Sequence, residues 1–429
     1  GVMDILGHAP DWGRVEEVLS WFPDFEGDVP DEAVFWERGD LELYFGTQGQ
    51  LWPLRKAGPE KNPTCVLLSH LRQVLAEWGI SKATPEYRSL CRHRAERADV
   101  RQLPSAAECT EVQRLRRAPE QLREPVVLED LQEWRGRGWD MDFWFNECGG
   151  EEWTCRARSP PFERDGEHGA QCTYHNAFVW EYVEYVRVID RMDPGCAREN
   201  EIAFPRVILD NWQPFTNSAW EFFELCWKEL ALPGVRDLSP RWMRRFGDVG
   251  FDWMEYLARL YTVSIAAVGA TTRLCKENHG AHKWFFQTEG KRLFFLFPPE
   301  DGRQLSPETG GPVPRREGYC AAASPVDVFY PAKRHAEDFG KARARAALLL
   351  PGEALVVPAG WWHCSAALES SVTLQHRFWN LQNKRGLVEQ VREFFDWESM
   401  PPDRAALWRS DLESIHAEVM EDEASDEEN

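Results

Sequence analysis

The order of apolar and polar positions divides the chain into a helical first part and a strand-rich second part. In CVLLSHLRQVLAEW (Cys65 to Trp78) apolar residues return at every third or fourth place, the period of a helix with one buried face. Pro-containing breaks separate such segments from Trp12 to about Arg117, and no candidate chemistry stands among them. The texture changes at Glu124. PVVLEDL (Pro125 to Leu131) is a short β-branched run, and WDMDFWFNECGGEEWTCRARS reads as aromatic, strand-like segments around a Gly-Gly turn. AFVWEYVEYVRVIDRM (Ala177 to Met192) returns to helical period, PRVILDNW (Pro205 to Trp212) is a strand, and SAWEFFELCWKELAL is a further helix. RWMRRFG reads as a turn or short helix.

From Leu260 the strand signal dominates, in LYTVSIAAVGATTRLCKE, WFFQTEG, KRLFFLF, ARAALLL, EALVVPAGWWH and SVTLQHRFW. These runs are short, bounded by Gly and Pro, and have no long helices between them. They predict an antiparallel sandwich or closed barrel rather than a parallel sheet. The stretch Pro298 to Lys341, rich in Pro, Gly and charge, predicts a surface excursion between strands. GLVEQVREFFDWE is again helical, and MEDEASDEEN is an acidic tail, most simply disordered. The expected division is a helical region over 1–122, a β-rich domain over 123–398, and a C-terminal helix with acidic tail over 399–429.

Charge narrows the function classes. A net charge of −21 over 429 residues argues against a general nucleic-acid surface and favours a protein or peptide partner, including a basic one. The Arg-rich run from Tyr87 to Arg123 reads as a solvated helix face. Eleven cysteines stand singly with no C-x-x-C pair, which points to a reducing compartment rather than a disulfide framework. No apolar window is long enough for a membrane span, and the first residues lack the pattern of a signal peptide, so cytoplasm or nucleus is expected.

The densest chemistry lies in TTRLCKENHGAHKWFFQTEGKRLFFLFPP, where Cys275, Glu277, His279 and His282 fall between two strand-like runs. On a strand Cys275 and Glu277 share one face. VVPAGWWHCS adds a turn at Pro358 and Gly360, two Trp that wall off solvent, and His363 at the start of the next strand. An i, i+2 pair with a later His is the pattern that places three ligands on one face of an iron ion.

With these residues in view, the chain from about 123 to 382 resembles the JmjC (cupin-like) Fe(II)/2-oxoglutarate oxygenases. The resemblance rests on G-x-[KR]-x-F-x-L-F-P-P and P-x-G-W-W-H, with PVVLEDL, the helix and VILDNW in the same order. It implies a mainly β fold with helices, a double-stranded β-helix or jelly roll. It places the iron ligands at Cys275, Glu277 and His363, and the 2-oxoglutarate contacts at Thr272 and Arg292, with adjacent Lys291 on the other face. Trp284, Phe285 and Gln375 fall where related enzymes line the pocket, Phe285 and Gln375 in place of the more usual Asn or Tyr. The implied reaction is hydroxylation of a protein side chain, or demethylation through hydroxylation, by an Fe(II)- and 2-oxoglutarate-dependent dioxygenase.

Cys275 departs from the family's usual His, since a thiolate is soft, oxidisable and adds a second negative charge. Three readings follow: Cys275 ligates metal, Cys275 is a small buried apolar residue in a catalytically silent protein-binding module, or His279 replaces it as ligand. His279 and His282 also read as structural residues, and His376 as a sheet residue.

Overall fold

The computed structural model describes residues 109–131, 134–158, 172–187, 207–247, 252–267, 270–307, 320–326, 328, 333–394 and 400–422. The helical reading of residues 12–108 lies outside them. Two sheets form the architecture. The larger has nine strands in the order Gln113–Leu115, Val126–Leu128, Ala354–Val357, His282–Glu289, Ser371–Phe378, Tyr261–Ala266, Val207–Trp212, Glu152–Arg158 and Cys172–Phe178. The smaller has six: Thr110–Glu111, Arg345–Leu349, Arg292–Phe297, Trp362–Ala367, Cys275–Glu277 and Cys320–Ala323. Apart from two parallel pairings made by the first two short strands, the pairing is antiparallel. This is the mainly β jelly-roll core, with helices, that the resemblance implies.

Alternation decides what each face does. On the larger sheet Thr262, Lys283, Phe285, Gln375 and Arg377 turn inward to a cavity, and from the smaller sheet Cys275, Glu277, Arg292, Phe294, His363 and Ser365 meet them. One end of the space between the sheets is closed by apolar packing that includes Phe285, Phe294, Leu296, Leu355 and Trp361. The outer face of the larger sheet is covered by helices, and its core includes Trp212, Phe223, Trp242, Phe246, Leu257, Trp284, Leu374 and Trp379. Each buried aromatic of this kind contributes about 2 kcal/mol of apolar transfer energy, which is why the helical layer holds to the sheet.

Three expectations are corrected. The β-rich unit begins before residue 123, because Thr110–Glu111 and Gln113–Leu115 already extend the two sheets. The aromatic run after Trp139 holds a helix, Met141–Cys148, before its strand. Asp140 caps it by accepting from the Phe143 N–H at 2.8 Å, and Met141, Trp144 and Cys148 form its buried face. The segment after Pro298 is more than surface. Its strand Cys320–Ala323 pairs with Cys275–Glu277, and Leu305, Val326, Val328 and Phe339 bury against the outer side of the smaller sheet. The C-terminal helix is Pro402–Glu421, and residues 423–429 of the acidic tail lie outside the described residues.

Gly290 closes the turn between His282–Glu289 and Arg292–Phe297 at φ +69°, where an added Cβ would stand 2.0 Å from the Ser370 carbonyl oxygen. Gly290→Ala is expected to destabilise the fold by about 2 kcal/mol or more, because strained backbone and a backbone clash coincide. Urea unfolding checks it, and an unchanged midpoint would contradict the geometry.

Candidate functional site

The cavity between the sheets is built by strand register. Cys275 and His363 are directly opposed on neighbouring strands, and Arg377 opposes Lys283 on the other sheet. Phe285 and Gln375 oppose each other one step further along. The turn at Pro358–Gly360, with Gly360 at φ +82°, delivers Trp361, Trp362 and His363. Trp361 donates its indole N–H to the Arg123 carbonyl at 3.0 Å, and Trp362 is buried, so both aromatics wall the strand as the sequence predicts.

Glu277 is the pivot. Lys283 Nζ donates to Glu277 Oε1 at 2.9 Å, and His363 Nε2 lies 3.4 Å from the same oxygen. All three side chains are buried. Burial pushes the Glu277 carboxyl up, but the Lys283 ammonium, the His363 imidazole and the Arg377 guanidinium hold it well below the usual carboxylate range. Glu277 is therefore a fixed negative charge whose nearest partner is an ammonium. Among the described residues no three His, Cys, Asp or Glu side chains converge closely enough to share a metal ion. Cys275 stays half-buried at the cavity wall.

These residues do not suit a resident iron ion. Fe(II) at Glu277 Oε1 would have to displace a buried ammonium. It would also enter a cavity lined by Arg273, Lys283, Arg292 and Arg377 against the carboxylates of Glu277 and Asp210. The His363 Nδ1 atom is buried with no hydrogen-bond partner among the described residues, whereas a ligating imidazole is normally oriented through that nitrogen.

The far end of the cavity is better matched to its predicted role. Arg292 is buried, with Nη1 donating to Thr373 Oγ1 and Nη2 to Ser264 Oγ, both at 3.1 Å. Its Nε has no partner among the described residues. Burial lowers its pKa to about 10, opposed by the charge of Asp210. Thr272 Oγ1 accepts from the Ser365 N–H at 2.7 Å and lies 3.2 Å from Ser365 Oγ, at the cavity wall. Lys291 points away, as expected, to Glu369 at 2.5 Å.

The remaining candidates fall elsewhere. Trp284 does not line the cavity: it takes the opposite face of its strand and packs edge-on against Trp134 at 5.6 Å, near His376 at 5.5 Å. His279 is turned away by a backbone at φ +49°, which ends the strand at Glu277, and its Nε2 lies 3.0 Å from Glu393. His282 opens the next strand. Its Nδ1 accepts from the Ala359 N–H at 3.0 Å, so Nε2 carries the hydrogen and faces Asn380 Oδ1 at 3.3 Å. His376 is a sheet residue facing the helical layer, stacked on Tyr261 at 3.8 Å and 2.8 Å from Asp237. Lys283 and Arg377 were not among the residues the sequence singled out. The signal was present, because once the strand begins at His282, Lys283 shares parity with Phe285.

Comparison with known proteins agrees with this frame. Residues 249–385 match the family model described as a cupin-like domain. This stretch is similar to a cupin-like domain. HSPB1-associated protein 1 of Rattus norvegicus is 33% identical over 158 residues, 37% of this chain and 27% of that protein. The Homo sapiens protein of the same name is 32% identical over 118 residues, 28% of this chain and 23% of that protein. Lysine-specific demethylase JMJ21 of Arabidopsis thaliana is 36% identical over 80 residues, 19% of this chain and 8% of that protein. The matches thus span 27% or less of these relatives' lengths.

Two outcomes test the cupin interior. Lys283→Met should destabilise the protein by about 3 to 5 kcal/mol, since it strands a buried carboxylate, while the pair Glu277→Gln with Lys283→Met should recover much of the loss. Denaturant unfolding of the cycle reads this, and additive losses would show that the pair is not coupled. His282 concerns pH. Burial pushes its pKa from the usual 6.5 to about 4, so the folded state resists a proton that the unfolded chain accepts. Stability should fall by about 3 kcal/mol as pH drops from 6.5 to 4, and His282→Gln should flatten that slope.

Proposed function

We propose that this cupin-like domain is a protein-binding module that has left metal-dependent oxygenase chemistry. The observation behind the reading is the buried Lys283 ammonium 2.9 Å from Glu277, on the oxygen that would otherwise face a metal. Cys275 in place of a His supports it, because a soft thiolate beside a carboxylate is a poor and oxidisable partner for Fe(II) in the presence of dioxygen. A protein partner accords with relatives named for association with HSPB1. No helix among the described residues is long and apolar enough to cross a membrane. The described cysteines, including Cys148, Cys155, Cys226 and Cys364, are free thiols, which supports a reducing setting such as cytoplasm or nucleus.

A second reading has one observation in its favour. Arg292 is a buried guanidinium satisfied by two hydroxyls and left with a free Nε, a fitting anchor for a carboxylate. In that reading Cys275, Glu277 and His363 would hold Fe(II), Thr272 and Arg292 would hold 2-oxoglutarate, and a protein side chain would be hydroxylated or demethylated.

Metal content after anaerobic purification separates the two. The chain is expected to take up no stoichiometric Fe(II) or Co(II) and to release no carbon dioxide from 2-oxoglutarate. Cys275→His should not suffice to restore binding, because Lys283 still holds Glu277. Cys275→His with Lys283→Asn should gain a Co(II) visible band. Stoichiometric iron with 2-oxoglutarate turnover in the unaltered chain would instead establish the oxygenase.

A further inference from the structure

On the outer side of the larger sheet, the helix Ser239–Gly247 buries Trp242, Met243 and Phe246 and turns Arg241, Arg244 and Arg245 outward. One carboxylate is already seated on it. Asp422 accepts from Arg241 Nη2 at 3.3 Å, from Arg245 Nη2 at 3.3 Å and from the Trp242 indole N–H at 2.8 Å, and its side chain is only 7% exposed. Beside it opens a cleft of about 470 Å³ lined by Trp227, Lys228, Arg236, Arg241, Arg244 and Tyr261, with Asp237 at its floor. Among the described residues Asp237 is the one carboxylate that lines it, and that group is engaged by His376 at 2.8 Å. Four cationic side chains thus gather on a protein whose net charge is −21.

The cations are held in place. The Arg244 guanidinium lies over Trp227 at 4.9 Å and over Trp253 at 5.1 Å, and the Lys228 ammonium lies 5.7 Å from the Trp227 ring. Stacking on an aromatic face leaves a guanidinium's edge open for bidentate contact with a carboxylate and reduces the entropy lost when that contact forms. Trp, Tyr and Arg are also the residue types that dominate the energy of protein interfaces.

We propose that this cleft is the docking site for an acidic peptide segment of a protein partner, an assignment that rests on the reading of the domain as a protein-binding module. Charge complementarity selects the partner, and Asp422 shows the helix already recognising a carboxylate through the same Arg241 that lines the cleft. A nucleic acid is disfavoured, since the net charge of the whole chain repels a polyanion while a short acidic segment meets only the local field.

The experiment titrates the full chain with a labelled Asp/Glu-rich peptide, a Lys/Arg-rich peptide and a short single-stranded RNA. The acidic peptide should bind, with affinity falling as salt rises, and the basic peptide should not. Arg236→Glu and Arg244→Glu, both at exposed positions, should each weaken binding tenfold or more in proteins that circular dichroism shows to be folded, Arg244→Glu with a lowered thermal midpoint because its stacking is lost. Removing residues 423–429 should leave the affinity unchanged or raise it by removing a competing acidic segment. A fall on truncation, equal binding by the charge-reversed variants, or preference for the RNA would overturn the assignment. Metal content reports separately on the reading beneath it. Iron occupancy with intact peptide binding would remove the metal-free reading and leave the cleft, whereas no iron and no peptide binding would remove the cleft alone.

Discussion

A carboxylate buried inside a protein must be paired, and the identity of its partner decides what the cavity around it can do. Glu277 lies between two sheets and is only 7% exposed, so little of its charge is met by bulk water. A cupin can meet that demand with a metal ion, which keeps an open coordination face, or with a side-chain cation, which does not. This chain uses Lys283, with Arg377 on the neighbouring strand adding to the field at the carboxylate. The ion pair thus meets the carboxylate's electrostatic need from within the chain's own side chains.

A second like charge stands beside the ammonium. Lys283 and Arg377 stand directly opposite each other on paired strands, an arrangement of like charges that is unfavourable without a shared anion. Glu277 supplies the anion. The three groups are therefore coupled through the one carboxylate. Arg292, at the other end of the cavity, donates to two hydroxyls among the described residues, and Asp210 supplies negative charge nearby.

Much of this frame was legible in the sequence because strand alternation and turn residues are local signals. KRLFFLF, EALVVPAGWWH and SVTLQHRFW fell where the sheets have strands, and His363 and Glu277 do meet. The errors came where a local signal was not carried through. The resemblance put both Trp284 and Phe285 in the pocket although neighbours on a strand face opposite sides, and Lys283, on the Phe285 side, went unnoticed. Likewise DMDFWFNEC looked like strand because it is aromatic, although Asp140 and the buried spacing of Met141, Trp144 and Cys148 mark a capped helix. Which cation pairs with Glu277 was not legible at all, since Glu277 and Lys283 face each other only after the two sheets close.

The strand Ser371–Phe378 shows how one sheet separates two kinds of recognition. Its residues Thr373, Gln375 and Arg377 face the cavity, while Leu374 and His376 face the helical layer. His376 meets Asp237 and Tyr261, the floor of the arginine-rich cleft, one residue away from Arg377, whose charge helps hold Glu277 ionised. Alternation thus lets adjacent residues serve two environments of different charge balance without mixing them. The two surfaces are built from opposite faces of the same wall, so a side chain can change on one without entering the other. Strand pairing on both edges of Ser371–Phe378 holds this wall, so the helical layer on its far face is supported whatever group pairs with Glu277.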